Sequence, residues 1–148
     1  MFQTSKVLPY PAYFLKTIVA DVEQYPAFVP MLKAVAIYPK TETFFEADLT
    51  IGHSVFEKTY RSEVFIFDDA VEAKAKADNT FEFLETRWNF TAYENKRCLV
   101  NFTLDFKLKS VLLQATVGKL LDNAAGKMIS AFEERAKILW ENTSLHEP

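Results

Sequence analysis

The spacing of apolar residues along this chain changes once for good, from every second residue to every third or fourth, at Ser110. Before that point, segment after segment alternates. Phe45, Ala47, Leu49 and Ile51 are separated by Glu46, Asp48 and Thr50. Phe56, Tyr60, Ser62, Val64 and Ile66 share one parity up to Asp68-Asp69. Val71, Ala73, Ala75 and Ala77 alternate with Glu72, Lys74 and Lys76. Leu84, Thr86, Trp88 and Phe90 define one more face, and Val100, Phe102, Leu104 and Phe106 another. Neighbouring side chains of a strand point to opposite faces, so this pattern predicts antiparallel strands with one wet and one dry face. Ser110 is a good N-cap. After it Leu113, Val117, Leu120, Leu121, Ala124, Met128, Phe132, Ala136 and Leu139 form one stripe. They predict a single helix to about Asn142, on the order of 45 Å long.

The first third of the chain completes the pattern. Phe2–Val7 reads as a short strand closed by Leu8-Pro9-Tyr10-Pro11, and Ala12–Asp21 has helical spacing behind Pro11. Tyr25-Pro26 ends that helix, and Ala27–Leu32 is expected to form a second short, apolar helix or turn between prolines. Val35 and Ile37 open the strands, and Gly52-His53 marks a turn. The order is therefore a strand, two short helices, six antiparallel strands and a long helix. A curved sheet wrapped around that helix buries every apolar face, which makes the fold class α+β, a helix grip of about seven strands.

Composition limits what such a fold can do. One domain over residues 1–148 is expected, since a chain of 148 residues buries roughly 68–70% of its unfolded surface. The net charge is −3 and there is no basic run, which argues against direct nucleic-acid binding. No segment has the roughly 18–20 apolar residues that cross a bilayer, and the N-terminus has neither a signal nor a transit pattern. With Cys98 alone, no internal disulfide forms. A cytoplasmic protein is expected.

Several words of the sequence carry a family resemblance across almost the whole chain. They are Lys6-Val7-Leu8-Pro9-Tyr10; Val19 to Pro26 with Phe28 and Pro30; Ala47 to Gly52 leading to Tyr60-Arg61-Ser62-Glu63-Val64; Trp88-Asn89-Phe90; and Phe102 to Leu113. In order and spacing they resemble the START-like polyketide-cyclase superfamily, and within it the coenzyme Q-binding family. The chain departs from that family at Met31-Leu32, where Trp-Cys usually follows the proline. The resemblance implies a cavity that holds ubiquinone as bound ligand in support of respiratory electron transport, with no cofactor required. It equally implies bacterial relatives that act as ribosome-associated toxins blocking subunit joining.

No catalytic constellation emerges from the residues. His53 lies in a turn and His146 in the tail, and neither has a partnered nucleophile nearby in sequence. One Cys and two distant His supply no metal site. The dry face is more informative. Large rings at Phe56, Tyr60, Trp88, Phe90 and Phe102 stand beside small residues at Ala47, Ala73 and Ala75, while the helix carries Ala124, Ala125, Gly126 and Ala131. Small residues on both surfaces either let helix and sheet approach closely or leave a cavity lined by aromatics. On the cavity reading, the ligand-binding residues are Phe28, Val29, Met31, Leu32, Leu49, Phe56, Tyr60, Ser62, Ala75, Thr86, Trp88, Phe90, Phe102, Leu104 and Ala131. Tyr60, Ser62 and Thr86 would offer hydroxyls to a quinone carbonyl, or are ordinary core groups. The cluster at Phe28, Val29, Met31 and Leu32 is either a plug or a lid that meets the membrane surface as ligand enters. A polyketide cyclase-like enzyme is the third reading, and it requires converging polar groups.

Overall fold

A computed structural model describes residues 1–53 and 56–144. The alternating segments form seven strands: β1 (Phe2–Leu8), β2 (Leu32–Pro39), β3 (Phe44–His53), β4 (Phe56–Ile66), β5 (Ala70–Ala75), β6 (Phe81–Tyr93) and β7 (Arg97–Leu108). They form one antiparallel sheet in the order β1-β7-β6-β5-β4-β3-β2. β2 to β7 run as a meander, and β1 closes the far edge against β7, with Phe2 opposite Leu104 and Leu8 opposite Cys98. Because β1 and β2 occupy opposite edges, the chain between them must cross the sheet. It crosses the dry face, as helix α1 (Ala12–Ala20) followed by a 3-10 turn (Val22–Ala27).

The parity expectations hold on β3, β4, β6 and β7, whereas Ala77, expected inward with Ala73 and Ala75, lies exposed beyond the end of β5. Leu49 and Ile51 of β3, Ser62 and Val64 of β4, Trp88 and Phe90 of β6, and Val100, Phe102 and Leu104 of β7 are all buried. Leu15, Ile18 and Val19 of α1 are buried with them. On the opposite face, the Arg61 Nε–Asp48 Oδ1 contact is 2.5 Å, and Arg61 Nη2 reaches Asp48 Oδ2 at 3.0 Å. The guanidinium also lies 4.3 Å from the Tyr38 ring centre, and Lys76 joins Glu46 at 3.1 Å. This paired fork holds the Asp48 carboxyl below its ordinary range, chiefly through the Arg61 hydrogen bond.

Two local expectations are corrected. The short second helix lies at Val22–Ala27, before and through Tyr25-Pro26, instead of at Ala27–Leu32. Proline's fixed φ suits a tight 3-10 turn, and the Tyr25 hydroxyl donates to the Val19 carbonyl to hold it. Phe28–Met31 then turns into β2, with Met31 at φ 68° and its carbonyl accepting from Gly52 N at 2.9 Å. The long terminal helix is present as two consecutive segments, α2 (Val111–Ala125) and α3 (Met128–Ser144). At the break, Lys127 N bonds Ala124 O at 3.0 Å, one residue tighter than an α-helix, beside Gly126, a poor helix former. Ser110 caps α2 as expected, its hydroxyl accepting from Leu113 N. The apolar stripe survives the break, with Val117, Leu121 and Ala125 buried before it and Ile129, Phe132 and Ala136 after.

Phe132 is the ring on which the layers meet. It stands edge-on to Tyr25 at 5.3 Å and to Phe28 at 4.9 Å, and is tilted on Trp88 at 4.7 Å. Phe132→Ala is expected to lower the unfolding free energy by about 3–5 kcal/mol, read from urea or guanidinium denaturation. The wet face sets a second expectation. A carboxyl with a depressed folded-state pKa adds stability above its unfolded value and loses it as pH falls through the folded one. Melting temperature should therefore drop on acidification below about pH 4, and Asp48→Asn should flatten that limb.

Candidate functional site

The two faces that close on each other, sheet and helix, do not fill the space between them. A cavity of about 130 Å³ remains, and its lining comes from every layer. β3 and β4 give Leu49, Ile51, Tyr60, Ser62 and Val64; β5 gives Val71 and Ala73; β6 and β7 give Leu84, Thr86, Trp88, Phe102 and Leu104. The helices close it with Leu121, Ala124, Ala125 and Met128, and the crossing segment adds Val22, Tyr25 and Val29–Leu32. The space exists because Ala73 meets Ala124 and Ala125 across it, small residue against small residue. A volume of this size resembles an apolar void that holds one benzene-sized ring, and is smaller than the roughly 300–1,000 Å³ of a drug-sized ligand site.

Among the residues singled out in the sequence, Val29, Met31, Leu32, Leu49, Tyr60, Ser62, Thr86, Trp88, Phe102 and Leu104 line the cavity. Phe28, Phe56, Ala75, Phe90 and Ala131 do not. Phe28 packs behind the wall, on Tyr25 and Phe132, with the Arg135 guanidinium 5.2 Å from its ring. Phe90 lies beyond Trp88, against Leu15, Ile18 and Val19 of α1. Phe56 sits near the start of β4 and Ala75 at the last residue of β5, each half-buried on the dry side but outside the lining. Ala131 is half-buried on α3, beside Phe132, which takes the inward position. In the apolar turn Phe28, Val29 and Met31 are half-buried and Leu32 is buried; Phe28, Val29 and Leu32 pack with the core, and Met31 lines the cavity. Ile51, Val64, Val71, Leu84, Leu121 and Met128 were not singled out, although strand parity or the helical stripe puts each of them on the inner side. Tyr25 was missed because Pro26 beside it signalled a break.

The polar groups of the cavity are few. Tyr60, Ser62 and Thr86 face it, Ser62 at 3% exposure, and none of their hydroxyls makes a hydrogen bond to another described residue. The Tyr60 ring stands edge-on to Phe81 at 5.6 Å, which fixes where its hydroxyl points. Tyr25 differs, since its hydroxyl is already committed to Val19 O. Burial pushes both phenols above their ordinary pKa, so they remain protonated donors. No carboxylate, Lys, Arg, His or Cys is among the described lining residues. No group of three or more His, Cys, Asp or Glu able to hold a metal occurs among the described residues. The His53 side chain and His146 lie outside the described residues. Such a site can solvate an apolar ring and offer hydroxyl donors to acceptors on its edge.

A seven-stranded sheet gripping a C-terminal helix around an apolar cavity defines a helix-grip ligand-cavity protein. The chain belongs to the polyketide cyclase / dehydrase and lipid transport family, whose model matches residues 8–133. It is 32% identical over 138 residues to a ribosome association toxin, RatA, of Pseudomonas aeruginosa, covering 93% of this chain and 96% of that protein. It is 29% identical over 142 residues to the mitochondrial coenzyme Q-binding protein coq10 of Schizosaccharomyces pombe, covering 93% and 87%. The aromatase/cyclase ZhuI of Streptomyces sp. R1128 superposes with a TM-score of 0.82 over 92% of both chains at 12% identity, a likeness of fold.

The free hydroxyls lead to a measurable expectation. Ser62→Ala and Thr86→Val break no hydrogen bond among the described residues, so each should change the unfolding free energy by less than about 1 kcal/mol. Urea denaturation checks this, and a loss above about 2 kcal/mol would reveal a partner these hydroxyls are not seen to have.

Proposed function

We propose that this protein is a non-catalytic carrier whose cavity takes the head ring of an isoprenoid quinone, ubiquinone in the first instance, with no other cofactor required. The observation that supports this most is the pairing of an apolar, ring-sized cavity with hydroxyls at Tyr60, Ser62 and Thr86 that have no hydrogen-bond partner among the described residues. A quinone ring is flat, apolar on its faces, and carries carbonyl acceptors at its edge. Hydroxyl donors at the wall discriminate such a ring from a plain hydrocarbon, which would leave them unpaired. The likeness to a coenzyme Q-binding protein over nearly the whole chain points the same way.

The tail imposes a constraint. Each buried CH₂ contributes about 0.8 kcal/mol, so a prenyl chain leaves lipid only for comparable apolar surface. About 130 Å³ holds the ring and not the tail. A tail would leave past the turn at Val29–Met31, the part of the lining that belongs to neither a strand nor a helix. Electron transport is the setting implied, with a cytoplasmic protein meeting the inner membrane transiently. No helix among the described residues is long and apolar enough to cross a membrane.

The second reading is a ribosome-associated inhibitor, favoured by the 32% identity to RatA. It needs a surface and not a cavity, and a net charge of −3 directs it to ribosomal protein instead of RNA. A cyclase reading rests on a fold shared at 12% identity, with no ionisable lining group other than the two raised tyrosines.

Native mass spectrometry with lipid extraction, on protein purified from its own host, is the test. Wild type should carry quinone at near-stoichiometric occupancy. Ala124→Phe places a ring in the cavity and should lower occupancy at least about tenfold, at a stability change within the roughly 1–3 kcal/mol of overpacking. Wild type that retains no quinone but shifts ribosome profiles toward free subunits would replace the carrier reading with the second.

A further inference from the structure

Exposed large apolar side chains stand singly over much of the surface, at Met1, Tyr13, Phe67 and Ile138 among others, but among the described residues two stand next to each other in sequence only on α2. Val111 and Leu112, adjacent in the helix's first turn, are 89% and 74% exposed, while Leu113 beside them turns inward. A hydrophobic residue standing alone on a surface needs no explanation, but two neighbouring branched aliphatics held out by a capped helix are a protrusion. The cap is real: Ser110 Oγ accepts from Leu113 N at 3.0 Å, so the first turn is not a frayed end.

The charge around this point is the second observation. From residue 107 to 127 the chain carries Lys107, Lys109, Lys119 and Lys127 against the single Asp122, a balance of +3. The whole chain is −3, so the remainder carries −6. Lys107 pairs with exposed Glu82 at 3.3 Å, whereas Lys109, Lys119 and Lys127 have no ion pair among the described residues. At 100° per residue, Lys119 lies on the same side of α2 as Val111 and Leu112, about 12 Å further along the axis. Other cations without an ion pair among the described residues lie elsewhere, at Lys16, Lys40, Lys96, Arg97, Arg135 and Lys137, but around this aliphatic pair the local balance is positive in a chain that is acidic as a whole.

We propose that the first turns of α2 form a docking surface for an anionic lipid bilayer, with Val111 and Leu112 entering the interface and Lys109 and Lys119 meeting the headgroups. Two protruding side chains are far from the roughly 800 Å² per partner that a protein interface requires, and they offer no complementary shape. A bilayer interface demands no shape, and accepts any aliphatic that reaches it. Apolar insertion of this size is weak alone and acquires useful strength only with a second, electrostatic contribution, which makes docking reversible and dependent on salt. This surface is independent of what the cavity holds.

Co-sedimentation of the full chain with vesicles tests the proposal. Binding is expected to vesicles of phosphatidylcholine mixed with phosphatidylglycerol, to be weak on phosphatidylcholine alone, and to vanish near 1 M salt, where screening acts within about 3 Å. The double variant Val111→Ser/Leu112→Ser alters only exposed side chains and should reduce binding about tenfold or more at an unchanged melting temperature. Lys109→Gln/Lys119→Gln should bind weakly and lose its salt dependence. As a second readout, Leu112→Trp should show a blue-shifted emission on mixed vesicles only. Equal binding of wild type and the serine variant, equal affinity for both vesicle types, or absence of binding to either would overturn the proposal. Absence of vesicle binding with serine-sensitive ribosome association would assign the protrusion to a protein partner.

Discussion

The packing of Phe132 against three other rings is the contact on which this architecture depends. A curved sheet with a dry inner face is unstable until something covers that face, and two separate pieces of chain do so here. The crossing segment brings Tyr25 and Phe28, the sheet brings Trp88, and α3 brings the ring that touches all of them. Trp88 in turn lies 4.6 Å from Phe102, so the contact extends into the centre of the sheet. With helix, crossing segment and sheet locked at that point, α2 is set at a fixed distance from the sheet. The small residues Ala73, Ala124 and Ala125 cannot then close the remaining space, and the cavity is what is left.

The pattern of residues made the sheet legible because side-chain direction in a strand has a period of two and admits no compromise. Leu49, Ser62, Thr86, Trp88 and Phe102 were read as inward, and they line the cavity. Parity fixes a face but not a depth along the strand. For that reason Phe56, Ala75 and Phe90 share the correct face yet fall short of the cavity or beyond it. How far a residue reaches depends on the twist of the sheet and on which helix covers it, and neither is written locally. The helix break escaped for a related cause. Gly126 keeps helical dihedrals, so only the switch to a tighter bond at Lys127 separates α2 from α3. The turn through Tyr25-Pro26 shows the same limit: a proline announces a boundary, and tertiary contacts decide on which side of it the helical turn lies.

Two relatives of similar identity, one a ribosome association toxin and one a coenzyme Q-binding protein, span nearly all of this chain. A shared fold is compatible with both because a cavity and an outer surface are independent parts of one scaffold. The unpartnered hydroxyls belong to the inside; the cations and aliphatics of α2 belong to the outside. Selection on one leaves the other free to change.

The pairing of β1 with β7 has a consequence in time. Phe2 lies opposite Leu104, and Leu8 opposite Cys98, so the edge strand bonds to residues about ninety to a hundred positions later. Contacts so distant along the chain slow folding, because loop closure must precede any gain from pairing. During synthesis, β2 to β6 can zip as successive hairpins while β1 has no ladder to join. Its backbone donors stay with water until β7 emerges, and α1 has only half a floor to rest on. A chain made at ~5–20 residues per second therefore leaves this edge open for several seconds. Assembly of the sheet is thus completed late and at a single edge, where β1 joins β7.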